Sequence, residues 1–305
     1  MDTQHASPTD NALDVWPALP LDAWRDTYDT LHLWTQIVGK VRTALSPPTN
    51  HWWSAPLYVT ARGLTTSPIP YGVRTFEVSF DFIDHNLIIQ TSDGGVKALG
   101  LYPRSVAGFY GAFMGSLRAL DIDIAINPLP QEVPNPIRFD EDTTHASYDA
   151  AQVQRFWRIL VQADRLFKVF RVRFIGKCSP VHFFWGSFDL TVTRFSGRRA
   201  PERAGADHVT REAYSHEVIS GGFWPGGGGQ EAAFYAYAAP EPAGLNDAAI
   251  RPVGAGYNAA LGEFLLNYAD VRAADDPDAL VLDFLQSTYE VAADRAGWDR
   301  AELER

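Results

Sequence analysis

The chain has 305 residues, 46% hydrophobic and 21% charged. This is an ordinary globular balance, enough for two modest domains or one duplicated domain. Its single cysteine, Cys178, excludes an internal disulfide, and a net charge of −11 argues against a nucleic-acid binder, because an acidic chain repels phosphate. No apolar stretch approaches the roughly 20 residues of a membrane helix. The polar start "MDTQHASPTDNALD" lacks the pattern of a signal peptide, so the expected location is the cytoplasm, with no membrane partner.

Residues 1–18 read as a disordered or loosely attached segment. A helix is predicted from Leu21 to Leu45, where Trp24, Tyr28, Leu31, Ile37, Val38, Val41 and Leu45 share one face. "SPPTN" ends it. Strands follow at "PLYVTARGL", "RTFEVSFDFI" and "LIIQTS". In the second, Phe76, Val78, Phe80 and Phe82 alternate with polar residues, and "DGG" is a turn. Pro103 opens a helix, "RSVAGFYGAFMGSLRAL". Its Gly108, Gly111 and Gly115 predict close approach by another backbone. "DIDIAI" reads as a strand before a proline-rich connector. The first lobe is thus 19–127, the connector 128–148 and the second lobe 149–305.

The second half repeats the order. "DAAQVQRFWRILVQADRLFKVF" is a helix with Val153, Phe156, Trp157, Leu160, Phe167 and Phe170 in register. Strands are predicted at "HFFWGSFDLTVTRF", "AYSHEVISGGFW" and "EAAFYAYAA", with a loop at "SGRRAPERAGADHV" and a turn at "PGGGG". After an insertion, Asp278 to Asp294 closes the lobe as a helix. The shared order, with His51-Trp52-Trp53 answering His182-Phe183-Phe184, predicts an internally duplicated α+β protein. Each αβββα lobe would carry a mostly antiparallel sheet covered by helices, the pair related as in a fused dimer.

The chemistry-bearing candidates follow from that plan. His51 and His182 lead strand entrances, and His216 stands in "YSHEVISGGFW"; imidazole titrates near neutrality and binds metals. The three histidines are the catalytic candidates. Joined by Glu217 or Asp189 they would make a metal site, although no HExxH, CxxC or HxH spacing supports one. Trp52, Trp53, Phe184, Trp185 and Trp224 are expected to wall a pocket between the lobes. Arg62, Tyr71 and Arg194 would orient a polar or anionic ligand, with Glu217 beside them. Gln36, Gly39 and Lys40 make a polar notch in the first helix. The acidic run "FDEDTTHASYD" reads as helix capping, and Cys178 as a buried small hydrophobe.

The stretches "TQIVGKVR", "YVTARGLTTSPIPYG", "SPVHFFWGSFDL" and "YSHEVISGGFWPG" resemble a bacterial family of uncharacterised proteins, a domain of unknown function, from about Trp16 to the C-terminus. That resemblance implies no activity, cofactor or partner. The residues themselves leave two expectations. One is a small-molecule-binding enzyme with an aromatic, histidine-containing pocket. The other is a non-catalytic binding or interaction module whose His-aromatic motifs are structural.

Overall fold

The computed structural model describes residues 14–305; of the segment expected to be loose, 1–13 lie outside these. From Asp14 on the chain is anchored. Trp16 is buried against Phe234 and Tyr268. The Tyr268 hydroxyl donates to the Pro17 carbonyl oxygen, and Arg272 Nε to that of Trp16.

Helix α1 (Leu21–Leu45) keeps its predicted bounds but is buried on more than its apolar face: Thr30, Thr35 and Gln36 are fully enclosed. The first sheet comprises β1 (Tyr58–Val59), β2 (Gly63–Thr65), β3 (Ile69–Tyr71), β4 (Arg74–Asp81), β5 (Asn86–Thr91) and β6 (Val96–Gly100). All pairings are antiparallel, in the order β1-β2-β4-β5-β6, with β3 also on β4. The predicted strand "PLYVTARGL" is therefore two. The Thr60 hydroxyl accepts from the Arg62 and Gly63 amides, and the chain turns there. Phe76, Val78 and Phe80 are buried as the alternation requires.

Helix α2 (Val106–Arg118) stacks Phe109 on Trp34 of α1 with ring centroids 4.6 Å apart. Its glycines do not admit a neighbouring backbone. A Cβ on Gly111 would meet nothing within 4 Å, and one on Gly115 only the tip of Arg118. The stripe faces outward because Val106, Phe109, Phe113 and Leu117 already bury the opposite face. "DIDIAI" forms no strand; Ile122 is buried, and Ile124 and Ile126 pack on the core from an irregular segment.

Helix α3 (Ala150–Val172) begins at Asp149, whose carboxylate accepts from the Ala151 and Gln152 amides, the capping expected of the acidic run. The second sheet contains β7 (His182–Phe184), β8 (Asp189–Arg199), β9 (His216–Trp224), β10 (Ala233–Ala239), β11 (Gly256–Asn258) and β12 (Glu263–Asn267). Its order is β7-β8-β9-β10-β12-β11, again antiparallel. A turn with Phe188 at φ 59° splits the expected long strand into β7 and β8. The expected loop holds helix α4 (His208–Ala213), capped by Asp207. The insertion supplies β11, β12 and α5 (Tyr268–Ala273). Helix α6 (Pro277–Arg295) covers one sheet face together with α3, and α7 (Arg300–Leu303) ends the chain.

Each half thus runs long helix, antiparallel sheet, helix, and the edges β1 and β7 meet through an antiparallel bridge from Leu57 to Phe183. The correspondence of His51 with His182 does not carry into three dimensions. His51 occupies a 3-10 turn (Asn50–Trp52) at φ 58°, whereas His182 opens β7, and the residue opposite Phe183 is Leu57.

Candidate functional site

The second sheet has two unlike faces, because successive side chains on a strand point to opposite sides. Leu190, Val192, Ile219, Phe223, Phe234 and Phe264 are buried on the side that α3 and α6 cover. The other side carries Asp189, Thr191 and Thr193 on β8, Ser220 on β9, Tyr235 and Tyr237 on β10, and Glu263 on β12. These polar residues floor a cavity of about 610 Å³. Asp189, Thr191, Ser220 and Tyr235 are buried, and Thr193, Tyr237 and Glu263 partly so.

Three parts roof it. Trp53 and His51 come from the turn before β1, Val209, Thr210, Ala213 and Tyr214 from α4 and its end, and Trp224 from the end of β9. Trp52 and His51 are both left-handed, at φ 60° and 58°, which turns the chain sharply enough to hang Trp53 over the sheet. The following loop, Gly226 to Gly229, has positive φ at every position, the backbone path only glycine follows without strain. It is the hairpin connection expected of "PGGGG".

The polar notch of α1 serves the mouth of the cavity. Gln36 donates to the Gln131 carbonyl oxygen at 2.8 Å and accepts from the Gln131 amide at 2.9 Å. That clamp fixes the connector, and Glu132, next in the chain, lines the cavity. Gly39 lies against the Trp185 indole, which a Cβ would meet at 2.3 Å. Lys40 Nζ sits 5.9 Å from the Phe139 ring.

The acidic groups dominate the electrostatics. The Asp189 carboxylate accepts from the Ser187 and Tyr235 hydroxyls. Burial nonetheless raises its pKa. The Tyr235 ring reaches across because β9 carries Gly222 beside it: a Cβ there would lie 2.3 Å from the ring. Burial, then the Asp189 charge, pushes Glu263 up to about 7. No lysine or arginine among the described residues lines the cavity. Among the described residues, none of Glu132, Asp189 and Glu263 takes part in an ion pair.

Of the residues expected from sequence, His51, Trp53, Phe184 and Trp224 line the cavity. His51 is locked: its Nδ1–H donates to the Ala213 carbonyl oxygen at 3.2 Å, and its Nε2 accepts from Lys177 Nζ at 2.8 Å. Burial, with Lys177 and His216 adding to it, lowers its pKa, so the ring is neutral. His216 reaches within 5.4 Å of His51, ring to ring, but bonds Ser215 outside the cavity.

The remaining expected residues lie elsewhere. His182 is buried beneath Trp53, Tyr58 and Phe184, its Nε2 without a partner. Burial, then the charges of Arg42 and Arg171, pushes it down to about 3. Trp52 packs on His208, and Trp185 Nε1 donates to the Ala55 carbonyl oxygen. Arg62 pairs with Asp81 and Asp84, and Tyr71 bonds the Asp123 backbone, both on the first sheet. Arg194 is fully buried on the helix-covered face, its guanidinium 3.5 Å from the Phe170 ring centroid and 4.2 Å from that of Tyr289. Glu217 pairs with Arg198 and accepts from Trp298 Nε1, away from the cavity. Cys178 is only half-buried. No group of three or more His, Cys, Asp or Glu side chains is placed to hold a metal ion among the described residues.

Sequence reading missed Glu132, Tyr235, Tyr237 and Glu263, and gave Asp189 only a metal-ligand role. The available signal was the alternation in "DLTVTRF" and "FYAYA", which marks one polar strand face. The roof over that face has no local sequence signature.

The fold and the site together define an α+β protein with two antiparallel six-stranded sheets and a roofed, acidic, aromatic cavity over one of them. The chain belongs to a family of unknown function, DUF5996, which it matches over residues 16–305. Neither a curated protein nor a solved structure matches it. No helix among the described residues is long and apolar enough to cross a membrane.

Proposed function

We propose that this protein binds a small organic molecule in the cavity over the second sheet and acts on it by proton transfer. The observation that carries this reading is the roofed polar face. Burying hydroxyls and carboxyls away from water is unfavourable unless they find partners. Here they find them within the fold: Asp189 accepts from Ser187 and Tyr235, Thr191 donates to the Gly221 carbonyl oxygen and Ser220 pairs with the Thr193 hydroxyl, so an ordered polar floor fronts a cavity of about 610 Å³, within the size range of metabolite pockets. The aromatic residues Trp53, Phe184, Tyr214 and Trp224 supply apolar walls. Glu263, near neutrality in its proton affinity, is suited to giving and taking protons at physiological pH. The Tyr235–Asp189 pair is a second proton-bearing group on the same floor.

A non-catalytic binding protein is the second reading, favoured by the locked state of His51, both of whose ring nitrogens are engaged. One experiment separates the two. The full chain and its Trp224→Ala variant are screened against a metabolite library by thermal shift, and each hit is then incubated with protein and followed by mass spectrometry. Hits that stabilise the parent but not the variant, with at least one converted, support the enzyme. Hits that bind and remain unchanged select the binding protein, and stabilisation that ignores Trp224 rejects the cavity.

A further inference from the structure

Resting on the cavity reading above, we infer that the ligand carries a cationic amine, seated between Asp189, Glu263 and Glu132 and against the aromatic walls. Charge balance on the lining is the first argument. Among the described residues, Glu132, Asp189 and Glu263 all open on one cavity, no lysine or arginine lines it, and the imidazole that does, His51, is neutral and holds the Lys177 ammonium at 2.8 Å, which leaves three carboxyl groups against one neighbouring cation. Carboxylates that face one space repel one another, and a cation relieves that repulsion where a neutral or anionic guest does not.

The donor pattern is the second argument. The floor carboxylate at Asp189 is already served by two hydroxyl donors. Glu263 has no protein hydrogen-bond partner for its carboxyl group among the described residues, and it stands half-buried on β12 facing the same space. A carboxyl group left open in this way calls for a donor from the ligand, and an ammonium offers up to three. Aromatic composition is the third. Trp224, Phe184 and Tyr235 line the cavity, as do Trp53 and Phe195, over which Lys177 already stands, and Tyr214, which already carries Arg203. The first three remain for a ligand cation, which an aromatic ring attracts through its negative face. Carboxylates for the charge and aromatic faces for its apolar surround form one chemically coherent set of contacts for an amine.

The mouth agrees with this reading. Glu132 stands there, exposed, and Gln36 and Gln131 hold its segment in place from behind. An acidic rim attracts cations and turns anions away before contact.

Isothermal titration of the full chain with three shape-matched probes tests the inference: 2-phenylethylamine, 2-phenylethanol and 3-phenylpropionate. The amine is expected to bind at least tenfold more tightly than either other probe. Glu263→Gln and Asp189→Asn should each weaken the amine tenfold or more and leave the alcohol unchanged, whereas Trp53→Ala should weaken every probe that binds. Glu263→Gln keeps the test usable if Asp189→Asn fails to fold. Alcohol or acid binding that equals or exceeds amine binding, and still needs Trp53, overturns the amine and leaves the cavity reading standing. Absence of Trp53-dependent binding by any probe counts against both.

Discussion

Leu57 and Phe183 exchange both of their backbone hydrogen bonds, each at 2.9 Å, and this single pair ties the edge of the first sheet to the edge of the second. Both side chains are fully buried. Leu57→Pro deletes one donor and leaves the Phe183 carbonyl oxygen unsatisfied in the interior, a loss of about 1–3 kcal/mol from that group alone. Urea denaturation should show a lowered midpoint, and an unchanged midpoint would show the pair to be incidental.

Gly222 and Tyr235 lie opposite each other on β9 and β10. Adding a methyl group at Gly222 places carbon 2.3 Å from the tyrosine ring, so the ring must move off Asp189. Gly222→Ala is expected to destabilise the fold by about 1–3 kcal/mol, as overpacking does, and to abolish amine binding. Titration of 2-phenylethylamine into the variant checks the second part, with circular dichroism confirming that the chain is folded.

His182→Ala separates scaffold from site. The ring is almost wholly enclosed, at 1% exposed, and three aromatic side chains surround it. The melting temperature should fall by several degrees while ligand affinity at the cavity holds. The parent should also weaken in acid. The unfolded chain protonates this histidine near its ordinary value, about 6.5, while the folded one refuses the proton down to about 3. The associated stability is complete above 6.5 and declines by up to about 1.4 kcal/mol per pH unit as pH falls. Denaturation midpoints from pH 7 to pH 4 measure that slope, and His182→Phe should flatten it.

Glu263 titrates in the opposite sense. Its folded value of about 7 lies above the unfolded carboxyl, so folding favours its protonated form. Its stabilising contribution is complete in acid and is lost as pH rises through 7. Glu263→Gln should therefore melt higher than the parent above pH 7 and show little difference at pH 5. Amine affinity follows the ionised form and should climb up to about tenfold per pH unit until Glu263 is deprotonated, then level off. The groups around it are Asp189 on β8, Glu132 on the connector, Tyr235 on β10 and Tyr257 on β11. A flat affinity between pH 5.5 and 8 would remove Glu263 from the site.

The long elements are legible because their signals are local. The three- and four-residue spacing of Trp24 to Leu45 fixes α1, and the alternation of Phe76, Val78 and Phe80 fixes β4. Where two short strands share one β-rich run, propensity does not reveal the turn. That is how 182–195 conceals the left-handed Phe188, and 56–64 the Thr60 turn. The site is harder to read. Trp53, His51, Phe184 and Trp224 attract notice as aromatic or titratable residues and do reach the cavity. Arg194 attracts the same notice, but its parity on β8 sends it to the other face, among Phe170 and Tyr289. Glu132 sits in the proline-rich connector and Glu263 at the start of a short strand, with nothing local to mark either. Only the tertiary arrangement brings them to Asp189.

The floor of the cavity belongs to one sheet, while Trp53 in its ceiling hangs from the approach to the other. The neighbouring His51 bonds the Ala213 carbonyl oxygen and Lys177, so the ceiling is itself fastened to the half that supplies the floor. A guest gripped from above and below therefore touches both halves at once, and by mass action its occupancy raises the melting temperature of the entire molecule.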